Sequence, residues 1–169
     1  MRAIGIDPGK KGCLVIIGDM DIQGTFFDWP KNDDIQTYFD NIAGYIENEL
    51  QWKTIGLAAI ERVHAMPKQG VSSMFSFGMN YGMWLAFLSI YHIPFITVPP
   101  QTWMKGLISK ADGVDTKAQV YTAAKRLFPH ATLTGPKGGR LDGRADALMI
   151  AYYARQRMPN NGIPHSRKL

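Results

Sequence analysis

Two short apolar runs that each end in a lone acid constrain this chain more than any other feature. The first, Arg2-Ala3-Ile4-Gly5-Ile6-Asp7, stops at Pro8-Gly9; the second, Ile55-Gly56-Leu57-Ala58-Ala59-Ile60, ends on Glu61. Apolar runs of this length bounded by turn residues read as buried strands. A carboxylate at the end of such a strand is costly unless a metal, a cation or several donors meet it. Between the two runs, from Asp33 to about Trp52, Ile35, Tyr38, Phe39, Ile42, Tyr45, Ile46 and Leu50 recur at spacings of three and four. That is an amphipathic helix, with Asp33 or Asp34 as its cap. Strand, helix and strand imply a right-handed crossover with the strands parallel, which puts both carboxyl ends on one edge of the sheet. Asp7 and Glu61 are therefore expected side by side. The alternative is that Glu61 pairs with Arg62 or Lys68 at the surface.

The remaining chain supplies further strands and helices. Residues 12–18 and 22–28 read as strands that extend the first into an antiparallel meander. Ser72 to Tyr91 is a mostly apolar helix in which Gly78, Gly82 and Ala86 recur every fourth residue, a smooth face for a close neighbour, either the sheet or a second subunit. Its Met and aromatic residues read as core or interface packing. Ile93 to Val98 is a further strand closed by Pro99-Pro100. A short helix follows from Gln101 to Leu107, then a polar basic loop from Ser109 to Asp115. A helix spans about Thr116 to Phe128, and His130 to Arg140 reads as a flexible basic loop.

At 169 residues the expectation is one domain over 1–157 with a loosely ordered tail over 158–169, large enough to bury about two thirds of its unfolded surface. The single cysteine, Cys13, sits in an apolar run, which fits a buried structural thiol in a reducing compartment. The chain opens directly on strand-like sequence, so a cytoplasmic location is expected. A net charge of +5 permits nucleic-acid binding without requiring it.

The last informative segment, Leu141 to Tyr153, is an alanine-rich helix with Asp142 and Asp146 four apart on one face. Asp142 also reads as a cap, but Asp146 interrupts an otherwise apolar face. Two acids there, facing two acids at strand ends, form an all-oxygen set suited to Mg²⁺ or Mn²⁺ rather than Zn²⁺. Such a cluster suits hydrolysis of phosphodiesters by two metal ions. Two divalent ions would add to the basic charge and draw phosphates to that face.

Ala3 to Gly9, Ala59-Ile60-Glu61, the glycine-bearing helix ending Gly82-Met83-Trp84, Val98-Pro99-Pro100 with Trp103-Met104-Lys105, and Gly143 to Ala151 occur in an order that resembles the RuvC-type Holliday-junction resolvases. The branch with phage, bacterial and plant-organellar members is the most similar. The likeness spans about residues 1–155. It implies an α/β, ribonuclease H-like fold: a mixed five-stranded sheet, a three-stranded antiparallel meander plus two parallel strands, flanked by helices. It also implies a homodimer that nicks four-way DNA junctions symmetrically with Mg²⁺, two ions per site, Mn²⁺ substituting. Asp7, Glu61 and Asp146 match the family's catalytic acids, with Asp142 as the fourth catalytic and metal-binding candidate. Many bacterial members space the paired helix acids three apart; here Gly143 fills that position.

On this reading Asp7 would bridge the metals, Glu61 would hold one ion with water, and Asp142 and Asp146 would complete the shell. DNA would be gripped by Lys68, Gln69, Lys105, Lys110, Lys117, Lys125, Arg140 and Arg144, and Met66 with Pro67 would wedge into the junction centre. His64 reads as an ordinary loop residue. The competing readings are a nuclease of the same fold acting on forks, flaps or hybrids, and a non-catalytic junction-binding protein. An actin-like ATPase opens in a similar way, but this chain is too short for its two lobes.

Overall fold

A computed structural model describes residues 1–31, 34–62 and 70–158. Five strands, β1 (Arg2–Asp7), β2 (Cys13–Ile17), β3 (Thr25–Asp28), β4 (Ile55–Glu61) and β5 (Phe95–Val98), form one sheet in the order β3-β2-β1-β4-β5. β1, β2 and β3 pair antiparallel, while β4 runs parallel to both β1 and β5. The expected sheet is the observed one. β3 is shorter than expected because the Asp21 carboxylate accepts from the backbone N–H groups of Gln23 and Gly24 and holds residues 21–24 in a turn.

Helices cover both faces. On one side α1 (Ile35–Tyr45) and α2 (Val71–Ile90) pack Tyr38, Ile42, Trp84, Phe87 and Leu88 against Ile4, Ile6, Leu14, Ala58 and Ile60. Asp34 caps α1 by accepting from the Thr37 N–H; Asp33, the other candidate cap, lies outside the described residues. On the other side α3 (Pro100–Met104), α4 (Thr116–Leu127) and α5 (Asp142–Arg155) cover Ala3, Cys13, Val15, Ile17, Ala59 and Val98. The alternation of strand residues between the two cores follows from the two-residue period of a pleated strand. Cys13 is buried and free, as expected. Among the described residues no helix is long and apolar enough to cross a membrane.

α5 fixes the geometry that matters for function. It passes so close over β1 that a Cβ on Gly5 would sit 2.0 Å from the Ala147 carbonyl oxygen and 2.3 Å from the Ala151 nitrogen. Only glycine permits that approach. At its amino end a Cβ on Gly143 would lie 2.0 Å from the Lys11 carbonyl oxygen. The helix is thus keyed twice, once to the middle of β1 and once to the turn after it.

The segment from His130 to Arg140 differs from the flexible loop its composition suggests. Thr134 and Arg140 bridge antiparallel, the Gly135 N–H donates to the Gly139 carbonyl at 2.8 Å, and the Gly138 N–H donates to Gly135 at 2.9 Å. Pro136-Lys137-Gly138 therefore forms the tip of a small hairpin, with Gly138 at φ +80°.

Candidate metal centre

β1 and β4 run parallel with Ile6 opposite Ile60, so Asp7 and Glu61 occupy the next step of adjacent strands at the same sheet edge. The Asp7 carboxylate accepts from the Gly9 N–H at 2.9 Å across the Pro8 turn, the hydrogen bond of an Asx turn. Glu61 accepts from the indole N–H of Trp103 at 2.9 Å. Trp103 is fully buried on α3, which the Pro99-Pro100 turn starts directly after β5. α5 brings Asp142 and Asp146 to this edge, because keying to Gly5 and to Lys11 leaves its first turns beside the end of β1.

The electrostatics report four acids facing one another. Burial, together with the charges of Asp7, Glu61 and Asp142, pushes Asp146 up to about 8, against the pull of Lys117. Burial raises Glu61 to about 7, with the Trp103 hydrogen bond working the other way and Asp7 adding to the rise. Asp7 is raised too, again by burial, against its Gly9 hydrogen bond and the charge of Lys117. Buried like charges that raise one another in this way mark a place where positive charge is wanted.

Among the described residues no three His, Cys, Asp or Glu side chains are drawn together tightly enough to hold a metal ion as they stand. The donor set nonetheless fits a hard divalent cation: it is entirely carboxylate, and one oxygen, Oδ1 of Asp142, is buried without a hydrogen-bond partner. Arg140 Nε stands 3.8 Å from that oxygen, and Lys117 Nζ is 3.4 Å from the other.

The wider spacing of the helix acids has a steric cause. Position 143, three before Asp146, is pressed against the Lys11 carbonyl, so no side chain fits there. The acid sits one residue earlier, as the first residue of α5, with Leu141 rather than Asp142 in the cap position.

Of the eight expected DNA contacts, the six among the described residues are dispersed. Lys68 and Gln69 lie outside the described residues, as do His64, Met66, Pro67 and the tail from Pro159. Lys117 and Arg140 stand at the acids. Lys105, just past α3, and Lys110 are exposed, while Lys125 lies in the last turn of α4, at the opposite end of the helix from Lys117. Arg144 is engaged inside the protein: its Nε and Nη2 donate to the two oxygens of Asp28 at 2.7 and 2.6 Å, its Nη1 donates to the Thr132 carbonyl, and its guanidinium lies over Phe26. Sequence reasoning overlooked Trp103 as a partner of Glu61. The available signal was an indole placed by a Pro-Pro turn just beyond a strand parallel to β4.

The sequence matches no protein-family model and no curated protein. The fold is that of a solved bacterial protein. Thermus thermophilus RuvC in complex with Holliday junction substrate superposes with a TM-score of 0.59 at 17% identity, covering 90% of this chain and 91% of that one. A second Thermus thermophilus RuvC structure gives 0.56 at 19% identity, covering 92% and 96%.

Proposed function

We propose that this chain is a RuvC-type, structure-selective endonuclease that resolves four-way DNA junctions. The observation that carries the proposal is the convergence of Asp7, Glu61, Asp142 and Asp146 on one sheet edge, on a fold shared with a RuvC that was solved on a junction. Asp7, Glu61, Asp142 and Asp146 would hold two Mg²⁺ ions, with Mn²⁺ substituting. When bound, the metal would supply an activated water and stabilise the departing 3′ oxygen.

The protein's own groups prepare that chemistry. Trp103 fixes one oxygen of Glu61 and leaves the other free to turn toward the site, and the Gly9 N–H does the same for Asp7. Lys117 and Arg140 flank Asp142 and would meet the phosphate on either side. Paired nicks on a two-fold-symmetric junction require two copies of the site. α2 offers the face for a homodimer: Val71, Phe75 and Met79 lie four apart and are exposed at 79%, 71% and 51%, and Gly78 and Gly82 open onto empty space.

The test is the Asp7→Asn variant. It should retain junction binding and lose Mg²⁺-dependent nicking by a factor of 10³ or more, in line with removal of a group that acts on developing charge. Full nicking by this variant would overturn the proposal, and cleavage of forks or flaps in preference to four-way junctions would redirect it to another branched substrate. Sedimentation at micromolar concentration should show a dimer; a monomer with and without junction DNA would remove the two-copy arrangement.

A further inference from the structure

We infer that the Thr134–Arg140 hairpin is a preformed finger that grips the phosphate backbone of a DNA arm beside the cleavage centre, with Lys137 at its tip. This rests on the nuclease reading and names a contact that reading lacks. Three observations carry it.

The finger is built. Its turn is closed by two backbone hydrogen bonds and the Thr134–Arg140 bridge. Its base is held from three sides: Tyr121 of α4 shares a 2.6 Å hydrogen bond with the Thr134 hydroxyl, the Leu141 N–H donates to the carbonyl of buried Leu133, and Arg144 of α5 donates to the Thr132 carbonyl. Arg144, which by sequence looked like a DNA contact, is a brace for the finger, tied to Asp28 on β3.

The finger is aimed. Its returning strand ends at Arg140, whose guanidinium approaches Asp142, so the hairpin rises directly from the acidic edge. Lys137 stands in the turn three residues from Arg140, so the chain places it no more than about 10 Å further out. Since phosphates on one strand recur about every 3.4 Å along the duplex axis, an ammonium within that reach would meet a backbone phosphate near the one held at the acids.

The finger is unspent. Pro136, Lys137, Gly138, Gly139 and Arg140 are all exposed, and among the described residues Lys137 makes no hydrogen bond or ion pair. A rigid exposed turn with a free ammonium at its tip forfeits little entropy on meeting a phosphate, which a mobile loop would have to order.

The experiment measures binding of the full chain to a four-way junction and to a plain duplex in EDTA, across a salt series. Lys137→Gln should lower the slope of log affinity against log salt by about 0.9, the value for one lost phosphate contact, on both DNAs. Lys53→Gln, just before the amino end of β4 and thus away from the acidic edge, should leave the slope unchanged. Gly138→Val keeps the charge but cannot hold φ +80°, and should weaken binding with its melting temperature within a few degrees of wild type.

Equal slopes for wild type and Lys137→Gln, or an equal loss from Lys53→Gln, would overturn the finger. Undiminished binding by Gly138→Val would overturn its rigidity. Wild type that binds duplex with the Lys137-dependent slope but shows no preference for the junction would instead count against the resolvase reading and leave the finger standing.

Discussion

Asp146→Asn should stabilise the metal-free protein while abolishing its nuclease activity, and the gain should depend on pH in a way the site dictates. The Asp146 carboxyl is pushed from 3.8 to about 8, chiefly by burial and then by Asp7, Glu61 and Asp142. A folded value above the unfolded one means that the folded state binds the extra proton, so stability falls as pH rises from about 4 through about 8 and the penalty is complete above that. At about 1.4 kcal/mol per unit the shift corresponds to a gross cost of roughly 6 kcal/mol. Residual solvent access and shared protons among the acids reduce this to on the order of 2 kcal/mol.

The amide is isosteric and does not titrate. In EDTA the variant should melt about 4–8 °C above wild type near pH 8.5, taking a few degrees per kcal/mol for a chain of this size. The gap should shrink as pH falls toward 4. Millimolar Mg²⁺ at pH 8.5 should raise the wild-type melting temperature and narrow the gap, since a ligand that binds only the folded state stabilises it. The assay is differential scanning fluorimetry across pH with and without Mg²⁺. A variant that melts below wild type at pH 8.5 in EDTA, or a gap that does not change with pH, would refute the reasoning that these acids form a site of uncompensated charge.

Other perturbations act on separate parts of the structure. Trp103→Phe removes the one N–H that, among the described residues, is donated to the Glu61 carboxylate and should raise the Mg²⁺ concentration for half-maximal nicking about 10–100-fold, leaving junction affinity in EDTA unchanged; a uniform loss of both would make Trp103 merely structural. Gly5→Ala drives a methyl into the α5 backbone and should cost about 4 kcal/mol or more, in the range of severe core overpacking, read as loss of soluble protein or a collapsed melting temperature. Arg144→Gln should lower stability by about 1 kcal/mol through loss of the bidentate pair with Asp28. It should leave the salt slope of DNA binding higher than that of Lys137→Gln; a slope reduced by a full phosphate contact would return Arg144 to the DNA surface. Because Glu61 and Asp146 are raised to about 7 and 8, metal binding must displace protons. Mg²⁺ affinity measured calorimetrically should therefore strengthen from pH 6 to pH 8.5, and a flat profile would contradict those shifts.

The sheet was legible because its signal is local. Apolar runs ending at Asp7 and Glu61, separated by one amphipathic helix, admit few arrangements, and the parallel pairing of β1 with β4 follows from connection rules alone. Asp146 was legible for a related reason: an acid on an otherwise apolar helix face has to meet something. What the sequence concealed depends on backbones that meet in space. The place of the acid at 142 rather than 143 is set by the Lys11 carbonyl, a residue far away in sequence. The capture of Arg144 by Asp28 is likewise invisible in a composition that reads both as exposed charges. The basic segment before α5 resembles a loose linker by its glycines, yet those glycines build a hairpin closed by hydrogen bonds.

The role proposed for the four acids on this sheet edge is the cutting of branched DNA with divalent metal. It is tested most directly by incubating the chain with a mobile four-way junction labelled on each strand in turn, with Mg²⁺ or EDTA, and mapping every product. Paired, symmetrically placed nicks on two opposing strands are expected in Mg²⁺ only, absent from Asp7→Asn and Asp146→Asn. Nicks that persist in EDTA, or an uncut junction in Mg²⁺ and Mn²⁺ under conditions where the chain binds it, would contradict it.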